Sequence, residues 1–206
     1  MKKRLLHAGW MTVLLKISSM TNPHYNSFTN RLLPGVLCIF ISVTGYAQKY
    51  TAVEGVITFF SAATLEDIKA DNRKAASVFN AATGDIAFSI PINQFQFEKK
   101  LMQEHFNEKY LESEKYPKST FSGKVEGFSL NAQGVQQVMA KGKLTIHGVT
   151  RDVEIPGTIE VQTGSLKMQS KFMVKLEDYS VKIPKLMWQN IAEQVEVTVD
   201  LTYKPQ

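Results

Sequence analysis

Two histidines, His105 and His147, stand in the part of the chain that carries regular strand patterns. Histidine titrates near neutral pH and is the commonest metal ligand, so acid–base or metal chemistry would start at these two positions. Glu104-His105 has no second histidine four residues on, so the spacing of a helical zinc protease is missing. Glu104, Glu108 and Glu112 recur every four residues and would share one helical flank, where a solvated face is the ordinary outcome. Lys99, Lys100 and Lys109 close to them could meet an anionic head group or make transient membrane contact, although the acidic neighbours blunt that field. There is no G-x-S-x-G, P-loop or dinucleotide fingerprint. Cys38 is the single cysteine. From Gln48 onward there is no thiolate nucleophile, disulfide or zinc–sulfur site to build. His147 reads first as a hydrogen bonder at a turn and His105 as a semi-buried imidazole. Both are kept as candidate head-group contacts. Nothing favours an enzyme, and no cofactor or metal is implied.

The elements that carry these residues are mostly strands. Met139 to Val161 (MAKGKLTIHGVTRDVEIPGTIEV) holds two alternating runs on either side of His147-Gly148. Ala140, Gly142, Leu144 and Ile146 share one face of the first, and Val153, Ile155, Ile159 and Val161 alternate along the second, with a break at Pro156-Gly157. Side chains of a strand alternate between faces, so this is a half-buried antiparallel pair joined by a short turn. The pattern recurs in Asp85–Ile92, Ser119–Phe128, Leu166–Leu176 and Val195–Tyr203. Lys49–Ala63 reads as strand, Glu-Gly turn or bulge, then strand; Leu65–Asn72 reads as a turn region and Lys74–Asn80 as a strand. One helix is expected at about 97–111, because Phe97, Leu101, Met102, His105, Phe106 and Tyr110 recur at helical spacing. About eight strands with short turns predict an all-β fold, an up-and-down antiparallel barrel or a sandwich, with the helix on the sheet or over an open barrel end. Such a barrel is filled by side chains or holds one ligand, and alternation leaves that open. The interior-facing set is Phe88, Ile90, Phe121, Leu144, Ile146, Met168, Phe172, Val197 and Val199. A solid-cored barrel using Leu186-Met187-Trp188 as an interaction surface is the alternative, and a homodimer is left open.

The first 47 residues carry Lys2, Lys3, Arg4, Lys16 and Arg31 with no acidic residue, whereas residues 48–206 hold 19 basic and 19 acidic side chains. The net charge of +5 therefore sits in the leader, and the basic pI is no argument for nucleic acid. Arg31, the apolar run Leu32–Val43 and the small residues Gly45 and Ala47 have the form of a secretory signal peptide cut between Ala47 and Gln48. The run falls short of the roughly 20 apolar residues of a spanning helix, which counts against a retained anchor. Met20 would open a leader of ordinary length and is a second candidate start. The expected product is a periplasmic or secreted domain, 48–206.

With these residues laid out, the domain resembles the YceI-like family of secreted, lipocalin-like proteins linked to polyisoprenoid lipids. The resemblance rests on Gly142-Lys-Leu-Thr-Ile-His-Gly-Val-Thr150, on His105-Phe-Asn through Tyr116-Pro117, and on Thr120-Phe-Ser-Gly123, and it spans about residues 50–204. Asp152 stands where members often have proline, and Ala62–Asn80 lacks the glycine-rich, aromatic pattern of better-known members. The resemblance implies an eight-stranded barrel with a helix beside its opening and an apolar interior that holds an isoprenoid or other long-chain lipid.

Overall fold

The computed structural model describes residues 48–62, 67–183 and 192–206. The leader, Ala63–Glu66 and Pro184–Ile191, which includes Leu186-Met187-Trp188, lie outside the described residues. Among the described residues there are ten strands: β1 Lys49–Ser61, β2 Ile68–Asn72, β3 Ala76–Asn80, β4 Asp85–Pro91, β5 Gln96–Phe97, β6 Lys118–Glu126, β7 Val135–Ile146, β8 Val149–Gln162, β9 Ser165–Lys175 and β10 Gln194–Pro205. Eight of them, in the order β1-β3-β4-β6-β7-β8-β9-β10, form an antiparallel barrel that closes where β10 pairs back onto β1. Closure leaves few free strand edges. The long β1 serves two partners on its other side: Lys49–Thr51 pair with β3, and Ile57–Ser61 pair with β2, which in turn carries β5.

Several expectations are corrected. Ile68–Asn72 is a strand rather than a turn, because its backbone completes the edge of β1 and Asp71 accepts a hydrogen bond from Thr58 Oγ1 at 2.7 Å. Of the turn or bulge expected near Glu54-Gly55 it is the bulge that occurs, between Ala52 and Glu54, so Lys49–Ser61 runs as one strand rather than two. The break at Pro156-Gly157 does not end β8, which continues through both residues. The helix is shorter than 97–111: Phe97 is in β5, the α-helix α1 covers Lys100–His105, and Phe106–Tyr110 follow as a π-helical segment.

The β7–β8 connection is a two-residue turn with positive φ at both His147 (50°) and Gly148 (74°). That is the geometry whose twist suits a tight hairpin. On the inner face, Gly123 of β6 lies opposite Gly142 of β7. A Cβ on either would come within 2.3 Å of a backbone oxygen on the other strand, so the wall can coil this tightly only because both are glycine.

One end of the barrel is packed solid. Tyr203, Leu166, Phe79 and Ile159 are each at most 1% exposed there. The Tyr203 hydroxyl donates to Ser77 Oγ at 2.6 Å, and Ser77 in turn donates to the Ala87 carbonyl at 2.8 Å. Burial pushes the Tyr203 phenol far above its ordinary value, so it stays neutral in this floor.

Candidate functional site

Above the floor the interior is hollow, so the solid-cored expectation fails for this half of the barrel. An outer chamber of about 390 Å³ lies under the helix and an inner one of about 170 Å³ lies deeper. Phe95, Ser119, Ile146, Val174 and Val197 line both, so the two chambers adjoin at these side chains. Among the described residues, no lysine, arginine or carboxylate lines either chamber. Together they fall within the range of small-molecule sites.

The strands deliver the interior residues by simple alternation. Phe88 and Ile90 from β4, Phe121 from β6, Leu144 and Ile146 from β7, Met168 and Phe172 from β9, and Val197 and Val199 from β10 all line the inner chamber. Ile146 and Val197 reach the outer one as well.

The outer chamber is roofed from one side by the helix. Phe97, Met102, His105, Phe106 and Tyr110 face it. Leu101, expected on the same stripe, is 62% exposed. The π-helical segment closes with Leu111 N–H donating to the Phe106 carbonyl at 2.9 Å, a five-residue step. Such wider turns reset which side chains share a face; here Phe106, Tyr110 and Leu111 all turn inward. Phe106 stacks on Phe59 of β1 at 5.3 Å, and Phe95 and Phe97 meet both rings edge-on or tilted at 5.0–5.7 Å. These four rings tie the helix to the barrel rim, beside one polar contact in which the Phe97 N–H donates to Gln103 Oε1 at 3.4 Å. Burial raises the Tyr110 phenol, and burial together with the Asp178 carboxylate raises that of Tyr179, so both chamber-wall hydroxyls are neutral donors.

His147 lines neither chamber. Its Nε2 meets Glu112 Oε2 at 2.7 Å, its Nδ1 meets the Tyr179 carbonyl at 3.3 Å, and the Tyr116 ring packs on it at 4.5 Å. The histidine thus fastens three rim segments together: the helix exit, the β7–β8 turn and the turn at Leu176–Tyr179 that follows β9. His105 does face the outer chamber. Among the described residues, no group of three His, Asp or Glu side chains is placed to hold a metal ion.

The family model for the YceI-like domain matches residues 39–203. The chain belongs to the YceI-like family. Solved structures with this fold include a polyisoprenoid-binding domain from Saccharophagus degradans implicated in plant cell wall breakdown, 16% identical over 76% of this chain and 98% of that one, with a TM-score of 0.66. BcnA of Burkholderia cenocepacia is 17% identical over 72% and 95%, TM-score 0.62. The YceI protein of Campylobacter jejuni is 16% identical over 70% and 88%, TM-score 0.55. No curated protein matches the chain. Identities this low carry the fold alone.

Within this YceI-like barrel, Phe95 is the main lining residue that sequence reasoning did not find. It follows a single 3₁₀ turn, Ile92–Gln94, and belongs to no periodic run. Leu176, Tyr179 and Val181 also line the outer chamber from a stretch that carries no strand alternation beyond Leu176.

Proposed function

We propose that this chain is an exported, non-enzymatic binding protein that holds one long apolar lipid, an isoprenoid by preference, inside the barrel. One observation carries the reading: two adjoining interior chambers, lined mainly by apolar side chains and without a charged lining residue among those described. Each methylene taken from water into such a space contributes roughly 0.8 kcal/mol. Ten or so would supply about 8 kcal/mol, which corresponds to a micromolar complex. Among the described residues, the polar side chains on the outer chamber are Tyr110, Tyr179, Ser61, Ser119 and His105, with no lysine, arginine or carboxylate among them. That favours an alcohol, phenol or quinone over a phosphate. The polyisoprenoid-binding description of the Saccharophagus degradans domain supports the same ligand class.

The test is a titration with geranylgeraniol, followed by quenching of tyrosine and tryptophan fluorescence, on the wild type and on Val197→Phe. The substitution adds apolar bulk where the two chambers adjoin and leaves the floor intact. Saturable binding by the wild type, weakened at least tenfold in a Val197→Phe protein with an unchanged circular dichroism spectrum, is expected. Equal affinity in both, or none in either, would end the proposal. Export is part of it: sequencing the mature amino terminus should give Gln48 as the first residue.

A further inference from the structure

The barrel wall is incomplete on one side. β8 and β9 pair from Gln162↔Ser165 up to Gly157↔Ser170, and there the pairing stops. Above that point Val149–Pro156 of β8 still pair with β7, and Lys171–Lys175 of β9 still pair with β10, but not with each other. Pro156 stands at the parting point; a proline has no N–H for a ladder and is confined to edges and bulges. The gap is framed. Below, Ser170 Oγ donates to the Pro156 carbonyl at 2.6 Å, and above, Arg151 Nε donates to the Asp178 carbonyl at 2.9 Å.

The inner chamber reaches this window. Its lining includes Pro156, Thr158 and Gln169, whose neighbours Ile155, Ile159 and Met168 point inward, so by alternation these three belong to the outer surface. With no side chain on Gly157, the chamber touches the wall at the residues where β8 and β9 part, 156–158 and 169–170, so it abuts the window. Beside the window, Met173 is 55% exposed. Arg151, Asp152 and Glu154 are exposed along the free edge of β8, and charges there discourage the docking of another strand.

A methylene fills about the same liquid volume as a water, ~30 Å³, so chambers of 390 and 170 Å³ take a chain of roughly twenty carbons before the floor stops it. We propose that the window between β8 and β9 is a side exit through which the tail of a longer prenyl chain leaves the barrel, so that ligand length is not limited by the chambers. This rests on the lipid-binding reading above. The window has a sequence trace in Pro156-Gly157, the break in alternation that no strand end explains.

Two prenyl alcohols, geranylgeraniol and solanesol, each carrying a diazirine on the last isoprene unit, test this on the wild-type protein by photocrosslinking and peptide mass mapping. The short probe should label inner-chamber residues such as Phe121 and Met168. The long one should label Thr158, Gln169 and Met173 on the outer surface. Two results would overturn the side exit while leaving lipid binding standing: failure of the long probe to bind while the short one does, or labelling by the long probe confined to the helix at the mouth. If neither probe binds, the lipid-binding reading itself fails, and the side exit with it. Labelling of the barrel exterior without a ligand inside is separated by a second readout. Met173→Cys carrying a polarity-sensitive dye should shift to the blue with solanesol and stay unchanged with geranylgeraniol; a shift with both, or with neither, contradicts the exit.

Discussion

His147 marks the difference between a residue type and its role. At its turn it reads first as a hydrogen bonder and second as a head-group contact, and both of its ring nitrogens meet oxygens of the protein, on Glu112 and the Tyr179 carbonyl. Three non-glycine residues with positive φ among those described, Glu112, His147 and Ser180, meet at this knot. Strained backbone of that kind persists where the surroundings over-determine it. His147→Ala should therefore lower stability to urea by about 1–2 kcal/mol, discounted for the half-exposed carboxylate. Gly148→Ala should cost more than about 1 kcal/mol, because the added Cβ would take a positive φ and come within 2.5 Å of the Tyr116 ring. On the outer wall, Asp200 accepts from Lys167 and from Gln169. Burial alone would raise its carboxyl, but these hydrogen bonds and the lysine charge outweigh it and hold the group below its ordinary value. A depressed value stabilises the fold above the unfolded-state pKa, and that stabilisation is lost as pH falls through the lower folded-state value. The stability difference between wild type and Asp200→Asn should accordingly be full at neutral pH and shrink below about pH 4 in urea titrations.

At the scale of elements, what could be read from the sequence was what repeats. Asp85–Ile92 and Val195–Tyr203 alternate without interruption; Ile86, Phe88 and Ile90 of the first and Val195, Val197 and Val199 of the second line the chambers, whereas Leu201 and Tyr203 are buried outside them. β2 was missed because Ile68–Asn72 is too short and polar to show a period; its strand character comes from the vacant edge of β1. The helix was over-extended at its start because Phe97 fits a helical spacing, whereas it lies in β5 and pairs with Ala70 of β2. A helical wheel also misplaced Leu101, since α1 is short and the π-helical segment beyond it shifts the inward stripe. The lid is held by rings, so its residues separate cleanly. Phe106→Ala should weaken prenyl alcohol binding about tenfold, a loss of about 1.4 kcal/mol, by removing contacts to Phe59, Phe95 and Phe97. Leu101→Ala, a change at a solvent-facing position, should leave affinity and stability unaltered.

For the whole molecule, the barrel is legible and its hollowness is not. Alternation assigns a side chain to a face, but whether facing side chains fill the space between them depends on their summed volume and on closure. Here the large residues Tyr203, Phe79 and Leu166 collect at one end, and valine and isoleucine dominate the strand positions toward the other, leaving a space that opens beneath the helix. The polar floor pair Tyr203 and Ser77 lies outside that space, so the molecule combines a rigid base with an apolar vessel. Organic extraction of the protein purified from the exported fraction of its own host, followed by mass spectrometry, tests this account most directly. A single prenyl-chain lipid recovered near one mole per mole of protein is the predicted result; an extract with no lipid above that of an unrelated exported protein from the same cells would contradict it.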